Sequence, residues 1–213
     1  MYIQIKGLSK TYGRQKVLNN IDVAFEQGKI HGLIGRNGSG KTQLFKAICG
    51  YVLPDAGEVW VQGKQIGKQA DYPPSLGMLI EHPGFLPNYS GLFNLEMLAA
   101  MNTRLGKQEL IACMVQVGLR DSANKKVSQY SLGMRQRLGL AQALMGNPDL
   151  LILDEPFNGL DKSGVEEIRA LLLSLKKEGR TILLASHNPY DIKALCDTIH
   201  EMEAGDIKEI LVS

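Results

Sequence analysis

The chain has 213 residues, 44% of them hydrophobic and 22% charged, with a formal net charge of +2. That length buries one sizeable core, the balance excludes disorder and collagen-like repeats, and so small a charge points to neither a nucleic-acid partner nor an anionic membrane surface. Cys49, Cys113 and Cys196 lie far apart, each among apolar residues, which predicts buried free thiols in a reducing compartment and neither a metal site nor a disulfide. The first residues alternate like a strand and do not form a signal peptide, and no stretch reaches the roughly 18 apolar residues of a membrane span. Any membrane is expected to be reached through another polypeptide.

In chain order, residues 2–6, 21–25 and 58–61 predict strands of a small sheet, with turns at Gly13, Gly28 and Gly57. An apolar strand at 30–34 runs into Gly35-Arg36-Asn37-Gly38-Ser39-Gly40-Lys41-Thr42, the spacing of a phosphate-binding loop, and 43–49 continue as a helix closed by Gly50. The chemistry accounts for the spacing. Glycines let the backbone N–H groups of Asn37, Gly38, Ser39 and Gly40 turn inward around β- and γ-phosphates, and the helix that follows adds its positive end. Lys41 places a compact charge between the phosphate oxygens, and the Thr42 hydroxyl is suited to a Mg²⁺ that keeps most of its water. A nucleoside triphosphate is the expected ligand.

A short strand at 76–80 precedes a change of character. Pro83-Gly84 and Pro87-Asn88 mark turns, and helical patterns near 92–101, 107–117 and 132–145 predict a helical lobe over about 82–145, inserted between core segments 1–81 and 146–213 of a single domain. Strand and helix then alternate: 150–153, 164–177 with Val165, Ile168, Leu172 and Leu175 on one stripe and Gly179 as cap, 181–185, and 190–196. A hairpin of 199–203 and 207–211 around Ala204-Gly205 ends the chain. The alternation predicts an α/β fold with a parallel sheet and crossover helices. Its strand 150–153 delivers Asp154 and Glu155 to the carboxyl edge where the phosphate loop also lies. Asp154 is then expected in the outer shell of Mg²⁺, and Glu155 to orient and deprotonate the attacking water. Alone, an apolar strand ending in two carboxylates is as often a simple strand end; the upstream phosphate loop changes its meaning.

Read unaided, Tyr130-Ser131-Leu132-Gly133-Met134-Arg135-Gln136-Arg137 is a helix N-terminus capped by Ser131. It resembles the signature motif of ATP-binding cassette (ABC) proteins, Leu-Ser-Gly-Gly-Gln followed by Gln-Arg, keeping Ser131, Gly133, Gln136 and Arg137 and departing at Tyr130, Leu132 and Met134. The resemblance extends over almost the whole chain. It implies a P-loop NTPase (RecA-like) α/β core with a small antiparallel β-subdomain and an inserted α-helical lobe. It further implies that Tyr12 stacks on adenine, that His187 senses the γ-phosphate, and that Asn158-Gly159-Leu160-Asp161 runs along a partner subunit, with Asp161 at the nucleotide. Two copies would pack head to tail when ATP binds, so that Ser131 and Gly133 of one meet the γ-phosphate held by the other. His31, His82 and His200 match no such role, and His31 and His200 are expected to be strand histidines with local partners.

Glu81 stands where most cassettes carry a glutamine that touches Mg²⁺ and links the two lobes. The Glu-x-Pro-Gly-Phe-x-Pro-Asn segment at 81–88 and Ser-Leu-Gly-Met-Arg-Gln-Arg at 131–137 are together similar to the bacitracin-export and lantibiotic-immunity group. That resemblance implies an ATP-hydrolysing subunit on the cytoplasmic face of the cell membrane, driving export or expulsion of peptide antibiotics through separate permease subunits. Phe85, Tyr89, Leu92 and Phe93 are the candidates for the permease groove, set against packing within the helical lobe. Two other readings are a cassette acting on nucleic acid or ribosomes, which usually carries long insertions not seen here, and a regulatory module without turnover, against which Lys41, Asp154, Glu155 and His187 are all present.

Overall fold

The computed structural model describes residues 1–81, 84–102 and 105–210; His82, Pro83 and Leu211, on which expectations fell, lie outside them. Strands β1 (Ile3–Tyr12) and β2 (Gln15–Phe25) form a hairpin about twice as long as the alternation at 2–6 and 21–25 predicts. The extra length is mostly polar, which erases the period-two signal. The ladder nevertheless continues through three register shifts, and Leu8 and Leu18 are fully buried beneath it. With β4 (Ala56–Val61) and β5 (Lys64–Gln65) the hairpin makes an antiparallel sheet of order β2-β1-β4-β5.

The second sheet has six strands in the order β10-β9-β3-β8-β7-β6, formed by β3 (Ile30–Ile34), β6 (Leu76–Leu79), β7 (Leu150–Asp154), β8 (Thr181–Ala185), β9 (Thr198–Glu203) and β10 (Asp206–Ile210). All neighbours pair in parallel except β9 and β10. The central strands β3, β7 and β8 are almost continuously buried, as strands covered on both faces must be. Because successive side chains point to opposite faces, Leu150, Ile152 and Leu183 join one core while Leu151, Leu153, Ile182 and Leu184 join another. The first core is closed by α1 (Lys41–Ile48) and by the antiparallel sheet through Ile3, Leu18 and Phe25.

The other face is covered by α4 (Leu132–Leu144), α5 (Lys162–Lys177) and α6 (Pro189–Leu195). Helices α2 (Gly91–Asn102) and α3 (Lys107–Gln116) share that same cluster through Leu95, Leu110 and Met114. The helical segment is thus continuous in its packing with the sheet. A glycine makes this possible: a Cβ at Gly77 of β6 would overlap the carbonyl of Ala143, so α4 lies directly on the strand backbone. The three cysteines are buried and free, and burial pushes the thiols of Cys49 and Cys196 up to about 12. Among the described residues, no helix is long and apolar enough to cross a membrane.

Candidate nucleotide site

The parallel strands all end at one edge of the sheet, where ligands of open α/β folds collect. There the loop between β3 and α1, the end of β7 and Glu81, two residues past β6, enclose a cleft of about 500 Å³, lined among others by Asn37, Lys41, Thr42, Asp154 and Glu155. Gly35, Gly38 and Gly40 take φ of 150°, 80° and 111°. A Cβ at Gly40 would stand 2.7 Å from the Val17 carbonyl, so this left-handed turn is closed to other residues. Lys41, only 8% exposed, donates from Nζ to the carbonyls of Gly35 (2.7 Å) and Arg36 (3.2 Å), which holds its charge over the loop. The Ser39 hydroxyl is buried there with no hydrogen-bond partner among the described residues.

Thr42 Oγ1 donates to Asp154 Oδ2 at 2.6 Å, joining the first turn of α1 to the tip of β7. The next residue, Glu155, has φ 52°. Its N–H donates to the Ala185 carbonyl at 2.9 Å, and its own carbonyl accepts from Gln136 Nε2 at 3.0 Å. These two bonds hold an otherwise costly backbone and turn the side chain away from that of Asp154. Glu155 Oε2 meets His187 Nδ1 at 2.7 Å. Behind His187, Ser186 Oγ lies 3.3 Å from Asp191 Oδ2, and Asp191 forms a buried ion pair with Arg169 of α5. Phosphate loop, carboxylates and histidine therefore converge. A further cavity of about 710 Å³ shares Asn37, Gly38 and Ser39 and opens between His187, α6 and β9.

The remaining expected residues lie elsewhere. Tyr12 ends β1 half-exposed; it does not line the cleft, but its hydroxyl donates to Gln43 Oε1 at 3.3 Å on the rim. Ser131 caps α4, accepting from the Met134 N–H at 3.2 Å, and Gly133 faces the loop after Glu155. Asp161 caps α5; its bond from the Gly164 N–H, 2.9 Å, holds its carboxyl below the usual range. None of these three lines the cleft of its own chain. Glu81 does line it, with Oε1 at 2.6 Å from Lys46 Nζ. Leu92, a groove candidate, is instead a core residue at 4% exposure, whereas Tyr89 is exposed and stacks on Phe93 with ring centroids 4.7 Å apart. Phe85 packs half-buried against the same core. His31 and His200 are buried strand residues. The Nε2 of His31 donates to the Glu26 carbonyl, leaving Nδ1 to accept from Thr198, while His200 Nδ1 has no partner among the described residues.

Sequence reasoning did not single out Lys46, Arg169 or Asp191, or the tie from Gln136 to Glu155. Gln136 lay inside a recognised motif; the others carry no local pattern that marks them.

Residues 18–158 match the model of the protein family described as ABC transporter. The chain is 40% identical to the uncharacterized ABC transporter ATP-binding protein YybJ of Bacillus subtilis, over 97% of this chain and 94% of that one. It is 41% identical to the bacitracin transport ATP-binding protein BcrA of Enterococcus faecalis, over 97% and 68%. To the lantibiotic transport ATP-binding protein SrtF of Streptococcus pyogenes it is 37% identical, over 96% and 88%. Among solved structures, the ATP-binding cassette MJ0796, a dimer bound to ADP and Pi, superposes with a TM-score of 0.90 over 99% of both chains at 23% identity, a match of fold. An ATP-binding subunit of an ABC transporter superposes with a TM-score of 0.86 over 98% of this chain and 88% of that one, at 27% identity. Both likenesses run nearly end to end. The chain belongs to the ABC transporter family, as one of its ATP-binding, ATP-hydrolysing subunits.

Proposed function

We propose that this subunit powers the export or expulsion of membrane-active peptide antibiotics through separate permease subunits, working as an ATP-dependent head-to-tail homodimer on the cytoplasmic face of the membrane. The observation that carries the enzymatic part is the convergence of Thr42–Asp154 and Glu155–His187 on the phosphate loop. The transported class rests on relatives named for bacitracin and lantibiotic transport. Nucleic acid has no part in this reading.

The buried, unpartnered Ser39 hydroxyl and the glycine turn fit a phosphate oxygen. Thr42 and Asp154, joined by Glu81, are hard oxygen donors of the kind Mg²⁺ takes, and they are too few for an all-protein cage, as suits a metal completed by phosphates and water. When bound, Mg²⁺ neutralises charge developing on the phosphate oxygens. Lys41 adds a positive charge on the loop side. Glu155 accepts the proton of the attacking water, and His187 orients the carboxylate that does so. Tyr12 stacks on the base from the rim. Ser131, Gly133 and Asp161, turned away from their own cleft, act on the nucleotide of the second copy. Exposed Tyr89, stacked on Phe93, offers apolar surface for the permease, with Phe85 a further candidate.

The test is an affinity purification from native membranes with the Glu155→Gln chain, with and without MgATP, and identification of co-purifying proteins. A multi-span membrane protein recovered with MgATP is the expected result. Soluble partners or nucleic acid alone would sink the transport reading and leave the nucleotide chemistry standing.

A further inference from the structure

Lys46 follows Thr42 by four residues in α1, so it lies on the same helix face one turn farther from the phosphate loop. Strands β6 and β7 run parallel with Leu79 beside Leu153. Continuing that register brings Ile80 level with Asp154 and Glu81 level with Glu155 at one sheet edge. Glu81 has φ 60°, a left-handed backbone that a residue with a side chain adopts at a cost. Its carboxylate lies 2.6 Å from Lys46 Nζ. The Lys46 side chain is 23% exposed and anchored on a helix, whereas that of Glu81 is 61% exposed and can turn about its own torsions.

We propose that Lys46 is a positioning residue for the metal site: its ammonium draws the Glu81 carboxylate toward the second turn of α1, and so sets how readily Glu81 joins Thr42 and Asp154 around Mg²⁺. The proposal rests on the reading of Glu81 as a metal ligand. One carboxylate has two claimants on the same helix face, a fixed monovalent cation and a divalent one. Since the pair is solvated on the Glu81 side, Lys46 biases the choice without locking it, and the expected effect on metal affinity is at most about fivefold. The departure from glutamine at position 81 then has a physical consequence, because an uncharged amide would be held by a lysine far less strongly than a carboxylate is.

The experiment titrates Mn²⁺ into the chain saturated with a non-hydrolysable ATP analogue and reads free Mn²⁺ by electron paramagnetic resonance. Lys46→Met is expected to tighten Mn²⁺ binding about three- to fivefold, with nucleotide affinity in EDTA unchanged. Lys46→Arg, which keeps the charge, should behave like the parent chain. In a Glu81→Gln background, where metal binding should already be weaker, Lys46→Met should have no effect. If Lys46→Met tightens binding equally in that background, the lysine acts through its general field and the positioning role is wrong. No tightening by Lys46→Met, while Glu81→Gln still weakens the metal, removes Lys46 and leaves Glu81 as a ligand. A Glu81→Gln chain that binds Mn²⁺ normally removes both, and loss of nucleotide binding in EDTA by Lys46→Met reduces the lysine to a structural part of α1.

Discussion

At Glu155, the proposed base, an unusual backbone and a directed side chain meet in one residue. Its backbone sits in a region that costs of order 1–3 kcal/mol for a residue with a side chain, so the bonds to Ala185 and Gln136 must hold it there. What the strain obtains is a carboxylate aimed at His187 while that of Asp154 aims at Thr42. The two adjacent acids thus have separate partners, as the separate roles proposed for them require. Glu155→Gln preserves shape and removes the proposed proton acceptor, so phosphate release should fall by about 10²- to 10⁴-fold. Nucleotide affinity, followed by titration, should persist. Hydrolysis at the parent rate would exclude Glu155 as the base.

At the scale of elements, two of the attachments of α4 bear on the site. Its C-terminal half lies on β6 at Gly77, and near its N-terminus the buried Gln136 reaches across to the carbonyl after β7. The helix thus connects the segment resembling the signature motif to the backbone of the proposed base, Glu155. Gln136→Ala leaves that carbonyl without its side-chain donor. Because the Asn158 N–H still donates to it at 3.3 Å, we expect a loss of roughly 0.5–1.5 kcal/mol in urea unfolding, together with a lower kcat at little-changed nucleotide affinity. A drop in stability with kcat intact would show that the contact is merely structural. The pair Arg169–Asp191 plays the corresponding part for α5 and α6, tying both helices to Ser186 beside the histidine.

Two expectations belong to the whole molecule. Ser131, Gly133 and Asp161 are on the surface or at helix caps, away from the cleft of their own chain, which supports the head-to-tail dimer as the complete catalytic unit. With MgATP the Glu155→Gln chain should elute from a sizing column as a dimer, and Ser131→Ala should shift that equilibrium toward monomer; a monomer at saturating MgATP would count against the pairing. The second concerns the junction of the sheets, where Phe25 of β2 sits 5.1 Å from both His31 of β3 and His200 of β9. Burial pushes both imidazoles below their usual range, against weaker opposing fields from Asp197 and Glu26 around His31 and from Glu209 around His200, while Lys29 adds to the lowering at His31. The unfolded chain then binds more protons than the folded one below the ordinary histidine value of about 6.5. Stability from these residues is complete above that pH and is lost as pH falls toward the depressed folded values. Urea midpoints should drop between pH 7.5 and 5.5, before the carboxylates titrate, and His200→Gln should flatten the slope.

The order of strands and helices, the phosphate loop and the apolar stripe of α5 were legible because each is written in residues a few positions apart, where helix and strand periods and turn chemistry act locally. The signature segment and the roles expected of Tyr12, His187 and Glu81 came from family resemblance and from no periodicity. What the chain pattern did not carry was the outer half of the β1–β2 hairpin, whose polar residues mask the alternation, and every contact joined across the fold: Lys46 with Glu81, Gln136 with the Glu155 carbonyl, Arg169 with Asp191. Those partners are separated by 35, 19 and 22 positions. Their meeting depends on which strands become neighbours and in what register, and that is decided when the parallel sheet buries both its faces, a non-local event that no short stretch of sequence encodes.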